Sequence, residues 1–263
     1  MSERLLSEAV RLHMAAPHVA VVTIDRPGAR NAVNVAVTEG IDRALGLTES
    51  DTDVWVTVLT GAGGKAFSAG ADLKEVAAGR ALSLRTERGG FAGFVNFPRE
   101  KPWIAAVEGF AVGGGFEIVL ACDMVVASED AVFALPETSR GLIAAAGGIH
   151  RLPRLLPRNL ALELIATGAQ LTAARAHAHG LVNRLAPKGQ ALAVAVELGV
   201  AICACAPVAV RESLKVARLA GDLDEEALRA LTKEARERND RTADAQEGPR
   251  AFVEKRPPRW LGR

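Results

Sequence analysis

The chain has 263 residues with 49% hydrophobic and 24% charged content, enough to bury a large core as one big domain or one domain with an appendage. A formal charge of +1 leaves no global basic field to draw it to nucleic acid or a membrane surface, and no run reaches the ~18 apolar residues of a membrane span. The opening residues Met1-Ser-Glu-Arg-Leu-Leu-Ser-Glu lack the apolar core of a secretory signal, and three cysteines in no framework spacing (Cys122, Cys203, Cys205) argue for reduced thiols and a cytoplasmic home.

His18–Ile24 is β-branched and reads as a buried strand, broken by the turn residues Asp25-Arg-Pro-Gly. Asn31–Leu47 has helical spacing, with Val33, Val37, Ile41, Ala44 and Leu45 on one side. Asp53–Leu59 is a second strand, so strand, helix and strand predict a right-handed crossover and a parallel sheet. Next, Gly61, Gly63 and Ala66 satisfy the loose dinucleotide pattern G-x-G-x-x-A. That pattern needs a helix at once and an acid at a strand end about 20 residues on. The region about 20 residues on, Gly79-Arg-Ala-Leu-Ser, offers no strand, and the helix starts late, near Asp72, so a nicotinamide dehydrogenase is rejected. The segment reads instead as a loop exposing backbone N–H groups at Gly70 and Ala71, ending in a helix capped near Asp72.

Residues 76–100 are glycine-bearing, with Phe91, Phe94 and Phe97, and read as a mobile loop or lid over a site, or as an ordinary surface connection. Trp103-Ile-Ala-Ala-Val-Glu-Gly-Phe-Ala-Val-Gly-Gly-Gly-Phe-Glu117 begins as a strand, passes through three glycines and enters an apolar helix over about Gly114–Cys122. Glycines let another molecule approach the backbone, and the first N–H groups of a helix are unpartnered and carry positive partial charge. Such a turn can hold an oxyanion or a phosphate. Glu117, one turn on, adds proton chemistry; the bland alternatives are close packing and a favourable helix-dipole charge.

Asp123–Ser128 and Ala131–Leu135 read as short strands around a Ser128–Asp130 turn; Pro136 stops the second and Glu137 follows. Ala161–Thr167 and Thr172–His179 are helical, and His177 and His179 do not share a helix face, so they make a poor metal pair. Leu181–Leu185 is a last strand. Beyond Gln190 only helical patterns remain: Ala191–Ala204, Pro207–Leu219, Leu223–Asp240 and Gly248–Lys255, with Cys203 and Cys205 expected in core packing. The architecture is α/β to residue 190 and a helical region over 191–263, with no repeat at a fixed period.

Several segments, in order, resemble the enoyl-CoA hydratase/isomerase, or crotonase, family: Asp25-Arg-Pro with Asn31-Ala32, Lys65–Glu75, Lys101–Gly109, Gly113–Glu117, Phe133–Glu137, Gly147-Gly148 with Arg151-Leu152, and Glu247–Arg256. The resemblance implies a spiral of β-β-α turns and a helical C-terminal region that drives assembly into trimers, commonly paired as hexamers. It implies an acyl-CoA substrate, with no metal and no cofactor besides the coenzyme A carried by the substrate. By position, the N–H groups of Ala71 and Gly114 would bind the thioester oxygen, and Glu117 and Glu137 would be the catalytic pair. We assign Glu117 to water as base and Glu137 to C2 as acid; the roles can be shared or swapped. Acyl-CoA contacts would fall at Arg30, Ala32, Lys65, Ala69, Asp72, Leu73, Lys74, Gly113 and Pro136. Because the chain is nearly neutral, local cations must serve the phosphates, with Arg30, Lys65 and Lys74 as candidates. Phe252 and Lys255 match a tail motif that in relatives can reach CoA, sometimes from a neighbouring subunit.

The chain departs from the hydratase pattern at Ala144 and Ala145, where many members carry proline and glycine. Gly89–Phe94 and Arg256–Arg263 look similar to carnitinyl-CoA dehydratases, whose substrate bears a quaternary ammonium; Phe91, Phe94, Trp103 and Phe133 are candidate faces for it. Double-bond isomerisation and non-catalytic binding of acyl-CoA or RNA are the competing readings, and retention of both glutamates and both glycine loops argues against the binding protein.

Overall fold

The computed structural model describes residues 3–263. An N-terminal hairpin, β1 (Arg4–Ser7) and β2 (Val10–Ala16), precedes β3 (Val19–Ile24), helix α1 (Val35–Ser50) and β4 (Val56–Gly61). Then follow β5 (Ala66–Ser68), α2 (Leu73–Ala77), the small hairpin β6 (Arg85–Thr86) and β7 (Gly90–Phe91), β8 (Trp103–Val107), β9 (Phe110–Val112) and α3 (Gly114–Ala121). The chain continues through β10 (Met124–Ser128), β11 (Val132–Ala134), α4 (Gly148–Leu155), α5 (Arg158–Thr167), β12 (Leu171–Thr172), α6 (Ala173–Ala178) and β13 (Arg184–Ala186). Four helices close it: α7 (Ala191–Cys203), α8 (Pro207–Ala217), α9 (Glu225–Asp240) and α10 (Ala243–Val253).

The large sheet has the order β1-β2-β3-β4-β8-β10-β13, parallel from β3 onward, as the crossover predicts. Alternate residues on its central strands serve two cores, because successive side chains on a strand point to opposite faces. Val19, Val21, Val56, Val58, Ile104, Ala106 and Val126 pack under Ala191 and Ala195 of α7. Val22, Ile24, Leu59, Trp103, Ala105, Val107, Val125 and Ala127 join the larger core with α1 and α3. Both faces of these strands are therefore covered, which is why they read as continuous apolar runs. The division expected at residue 190 falls where α7 begins, and that helix covers one sheet face.

A smaller sheet of order β12-β11-β9-β5 lies beyond the strand ends. Its members β5, β9 and β11 are parallel neighbours. Each follows a strand of the large sheet (β4, β8, β10), so every turn of the chain gives one strand to each sheet and then passes to helix. This is the spiral of β-β-α turns. The G-x-G-x-x-A stretch lies inside one such turn, and its glycines lead into β5 rather than a helix.

Three expectations give way. The 76–100 segment is not a free lid throughout: Phe91, Ala92, Phe94, Val95 and Phe97 are built into the larger core, while residues 77–83 are exposed. Cys203 packs against the α7 side of the sheet, but Cys205 is exposed. The tail helix α10 starts at Ala243, capped by Thr242, and runs through Gly248 and Pro249. Among the described residues no single helix is long and apolar enough to cross a membrane.

Candidate active site

Because β5, β9 and β11 are parallel neighbours, their C-terminal ends lie at one edge, and the chain after each end carries a predicted site residue. After β5, Ala71 forms an isolated parallel bridge with Val33. The Val33 N–H donates to Gly70 O at 2.7 Å and the Asp72 N–H to Val33 O at 2.9 Å. Both neighbours of the Ala71 N–H are thus used, and that N–H has no acceptor among the described residues. After β9, Gly113 takes φ +58 and donates to Ala134 O at 2.9 Å, and Gly114 opens α3. The Gly114 N–H likewise has no acceptor among the described residues, as a first helical donor should not. The two backbones touch: Gly70 has φ +83, and a Cβ there would lie 2.7 Å from Gly114 N. Glycine is required twice over, by conformation and by space. Two unpartnered donors on touching backbones can hold a developing oxyanion.

Glu117 is buried on the first turn of α3, 4% exposed. Its Oε1 accepts the Gly148 N–H at 2.9 Å. Gly148 is the first residue of α4, so a helix N-terminus faces the carboxylate. Glu137 follows β11 and is half-buried. Its Oε1 lies 3.1 Å from where a Cβ on Gly113 would stand, and its Oε2 is buried without a hydrogen-bond partner. Burial pushes both carboxyls above the usual range. On Glu117 the Gly148 N–H opposes that rise, Glu137 adds to it, and the Ala146 backbone and Arg151 oppose it. On Glu137 its own backbone and Arg140 oppose it. An orphaned acid oxygen beside the glycine turn is the mark of a site that works on something else.

Beside the Ala71 turn lies a cleft of about 370 Å³, lined by Arg30, Ala32, Ala69, Ala71 and Leu73, all expected there, and by Ala66, Phe110, Val112 and Arg140. Arg30 is set by a left-handed turn (φ +51, then +55 at Asn31). Asn31 locks that turn by donating to Ala62 O and Ala66 O and accepting the Arg26 N–H. Neither Arg30 nor Arg140 has a carboxylate partner among the described residues, so the cleft presents two guanidiniums fit for phosphate. Arg140 escaped the sequence reading; its only signal was its place three residues after Glu137. Lys65 and Lys74 are exposed and do not line the cleft. The Asp72 carboxylate is engaged by Arg26 at 3.0 Å and caps α2 through the Lys74 N–H at 3.1 Å. Pro136 is half-buried, with its Cα 3.1 Å from where a Cβ on Gly168 would stand. Phe252 is 85% exposed at the end of α10, and neither it nor Lys255 lines the cleft.

The enoyl-CoA hydratase/isomerase family profile matches residues 15–263. The chain belongs to this family. An enoyl-CoA hydratase from Mycobacterium tuberculosis H37Rv superposes with a TM-score of 0.93 at 41% identity, over 97% of this chain and 99% of that one. A carnitinyl-CoA hydratase from Mycobacterium avium superposes at 0.76 with 44% identity, over 97% and 99%. A carnitinyl-CoA dehydratase from Salmonella typhi is 38% identical over 98% of this chain and 100% of its own length.

Within this family member the four aromatic candidates for a cation part company. Phe94, Trp103 and Phe133 are fully buried in the core. Phe91 does reach the site: its ring stands 2.5 Å from where a Cβ on Gly114 would be. Of the departing pair, Ala144 is buried against the place a Gly148 Cβ would fill, and Ala145 is exposed.

Proposed function

We propose that this chain is an enoyl-CoA hydratase, a hydro-lyase adding water reversibly across the 2,3 double bond of an enoyl-CoA thioester. The observation carrying this reading is two carboxyls, Glu117 buried and Glu137 half-buried, beside the glycine turn where the Gly114 N–H and the neighbouring Ala71 N–H have no acceptor among the described residues. The thioester oxygen accepts from Ala71 and Gly114, which makes C3 electrophilic and stabilises the enolate-like charge; one such donor is worth about 3 kcal/mol. Glu117 takes a proton from water as its oxygen bonds to C3, and Glu137 gives a proton to C2. The product is a 3-hydroxyacyl thioester, and the two acids exchange protons with solvent to reset. The Gly148 N–H and Arg151 favour the ionised form of Glu117, which supports its role as base. The orphaned Oε2 of Glu137 suits a protonated acid. The Arg30–Arg140 cleft would take coenzyme A phosphates, and the exposed tail at Phe252 and Lys255 would add contacts from a neighbouring subunit of a homotrimer or dimer of trimers.

A second reading, dehydration of carnitinyl-CoA to crotonobetainyl-CoA, is favoured by a carnitinyl-CoA dehydratase at 38% identity and a carnitinyl-CoA hydratase at 44%, each matched over nearly the whole chain. It would use the same two glutamates, with Phe91 the remaining aromatic face.

The test follows loss of enoyl-thioester absorbance with crotonyl-CoA, in wild type, Glu117→Gln and Glu137→Gln. Rapid loss in wild type, reduced about 10²–10⁴-fold in each variant, is expected. A folded wild type that leaves crotonyl-CoA untouched but turns over crotonobetainyl-CoA selects the second reading, and turnover of neither rejects both. Sedimentation velocity measures the assembly, and a monomer would overturn the trimer.

A further inference from the structure

Arg151 is a half-buried guanidinium that the proposed chemistry leaves unused. It lies on the first turn of α4, with its N–H on Gly147 O at 2.9 Å. Its side chain folds back over the helix start and fills the space a Cβ on Gly147 would need, where the backbone takes φ +120. From there Nη1 donates to Ala146 O at 3.0 Å and Nη2 to Val95 O at 2.6 Å. The first bond fixes the loop that delivers the Gly148 N–H to Glu117. The second fixes the segment that carries Phe91 against Gly114. A neighbouring clasp works the same segment from the other end: Arg99 donates to Phe94 O at 3.1 Å and to Ala121 O at the end of α3.

We propose that Arg151 is a positioning residue, which holds the Glu117 carboxylate in its working place by tying the α4 N-terminus to the Phe91 segment. The proposal rests on the hydratase reading for its kinetic consequences, not for its geometry. Arg151 touches none of the reacting atoms. Its charge acts in the same direction as its hydrogen bonds, since it favours ionised Glu117. The charged groups that face Glu117 are Glu137, after β11, which opposes ionisation, and Arg151 itself; Arg99 in turn presses on Arg151. Without the guanidinium, the loop carrying Ala146–Gly148 loses its tie, and Glu117 holds its proton to higher pH.

The experiment compares wild type with Arg151→Gln, which can keep one donor but no charge, and Arg151→Lys, which keeps the charge. In Arg151→Gln, kcat for crotonyl-CoA is expected to fall about 10- to 100-fold, the order that a misplaced group costs. KM should move far less, the acid limb of the kcat–pH profile should move to higher pH, and Arg151→Lys should recover part of both. A lower melting temperature with kcat and the acid limb unchanged would overturn the proposal. Carboxyl ¹³C NMR of labelled glutamate, with Glu117 assigned by its loss in Glu117→Gln, reads the same point without turnover. If wild type hydrates nothing, the hydratase reading fails, yet a Glu117 titration moved upward in Arg151→Gln still supports the clasp. An unmoved titration rejects it. Should Arg151→Gln fail to fold, Arg151→Lys decides: a smaller fall in kcat supports the clasp, and wild-type kcat rejects it.

Discussion

At the scale of single residues, the site stores its chemistry as stability forgone. Glu117 is held above the usual carboxylate range chiefly by burial. The folded chain therefore binds that proton more tightly than the unfolded chain does. The stability this contributes is full below the unfolded value and is lost as pH rises through the folded one. Glu117→Gln keeps an acceptor for the Gly148 N–H and removes the buried charge. It should therefore melt higher than wild type at neutral pH, with the difference closing in acid; thermal melts across pH measure this. Gly70→Ala should act oppositely, because its Cβ meets Gly114 N and its φ of +83 suits only glycine. A loss of about 1–3 kcal/mol of stability together with nearly all turnover is expected, read by chemical denaturation and by the hydration assay. Glu117 was singled out by the glycine turn before it, and Glu137, after Pro136, by the family resemblance and its spacing from Glu117. Arg140 was not singled out, and Arg151 stood only inside a family motif with no role, since a lone arginine in sequence shows nothing of the carbonyls or the cleft it will face.

At the scale of elements, one buried acid outside the site decides how α7 begins. Glu108, 8% exposed in the turn between β8 and β9, accepts the Ala191 N–H at 2.8 Å and the Gly189 N–H at 3.1 Å. It thereby caps a helix more than eighty residues away in sequence, since α7 has no side-chain cap of its own. Glu108→Ala should cost about 1–3 kcal/mol in denaturant, the range for leaving buried donors unpaired. Elements with their signals inside them were readable: β3, β4 and β8 by their β-branched and apolar runs, α1 by the helical spacing of Val37, Ile41, Ala44 and Leu45, and α2 by its cap Asp72. Elements whose reason lies elsewhere were not. The three-residue strands β5 and β9 are too short to show a period. β1 and β2 form a half-exposed edge with polar residues on it. α4 begins at glycine because Glu117 and Arg151 organise its start, and it contains Pro153.

At the scale of the whole molecule, the chain's end is sewn back onto its middle. The Asp244 carboxylate accepts the Leu261 N–H at 2.7 Å and the Gly262 N–H at 2.9 Å, and Trp260 donates to Ala204 O at 2.8 Å. Arg256 pairs with Glu247 at 2.5 and 2.9 Å. Asp244→Ala should release residues 257–263, seen as faster amide exchange there and a new protease-sensitive site, with the large sheet unaffected. The spiral was invisible as a sequence repeat because its three turns carry inserts of unequal length, the largest being the Phe91 segment. Sequence placed a boundary where composition turns helical, whereas α7 lies across the sheet. That placement has a consequence for synthesis. A ribosome makes the chain from its amino end, so every strand of the large sheet is extruded before the helix that roofs one side of it. Until residue 203 emerges, Val19, Val21, Val56, Val58, Ile104, Ala106 and Val126 have no cover. During that interval the nascent chain carries a sticky apolar wall, the kind of surface chaperones hold. Transcripts truncated before codon 191 should therefore yield insoluble product even though every residue of the proposed acid pair and its oxyanion donors has already been made.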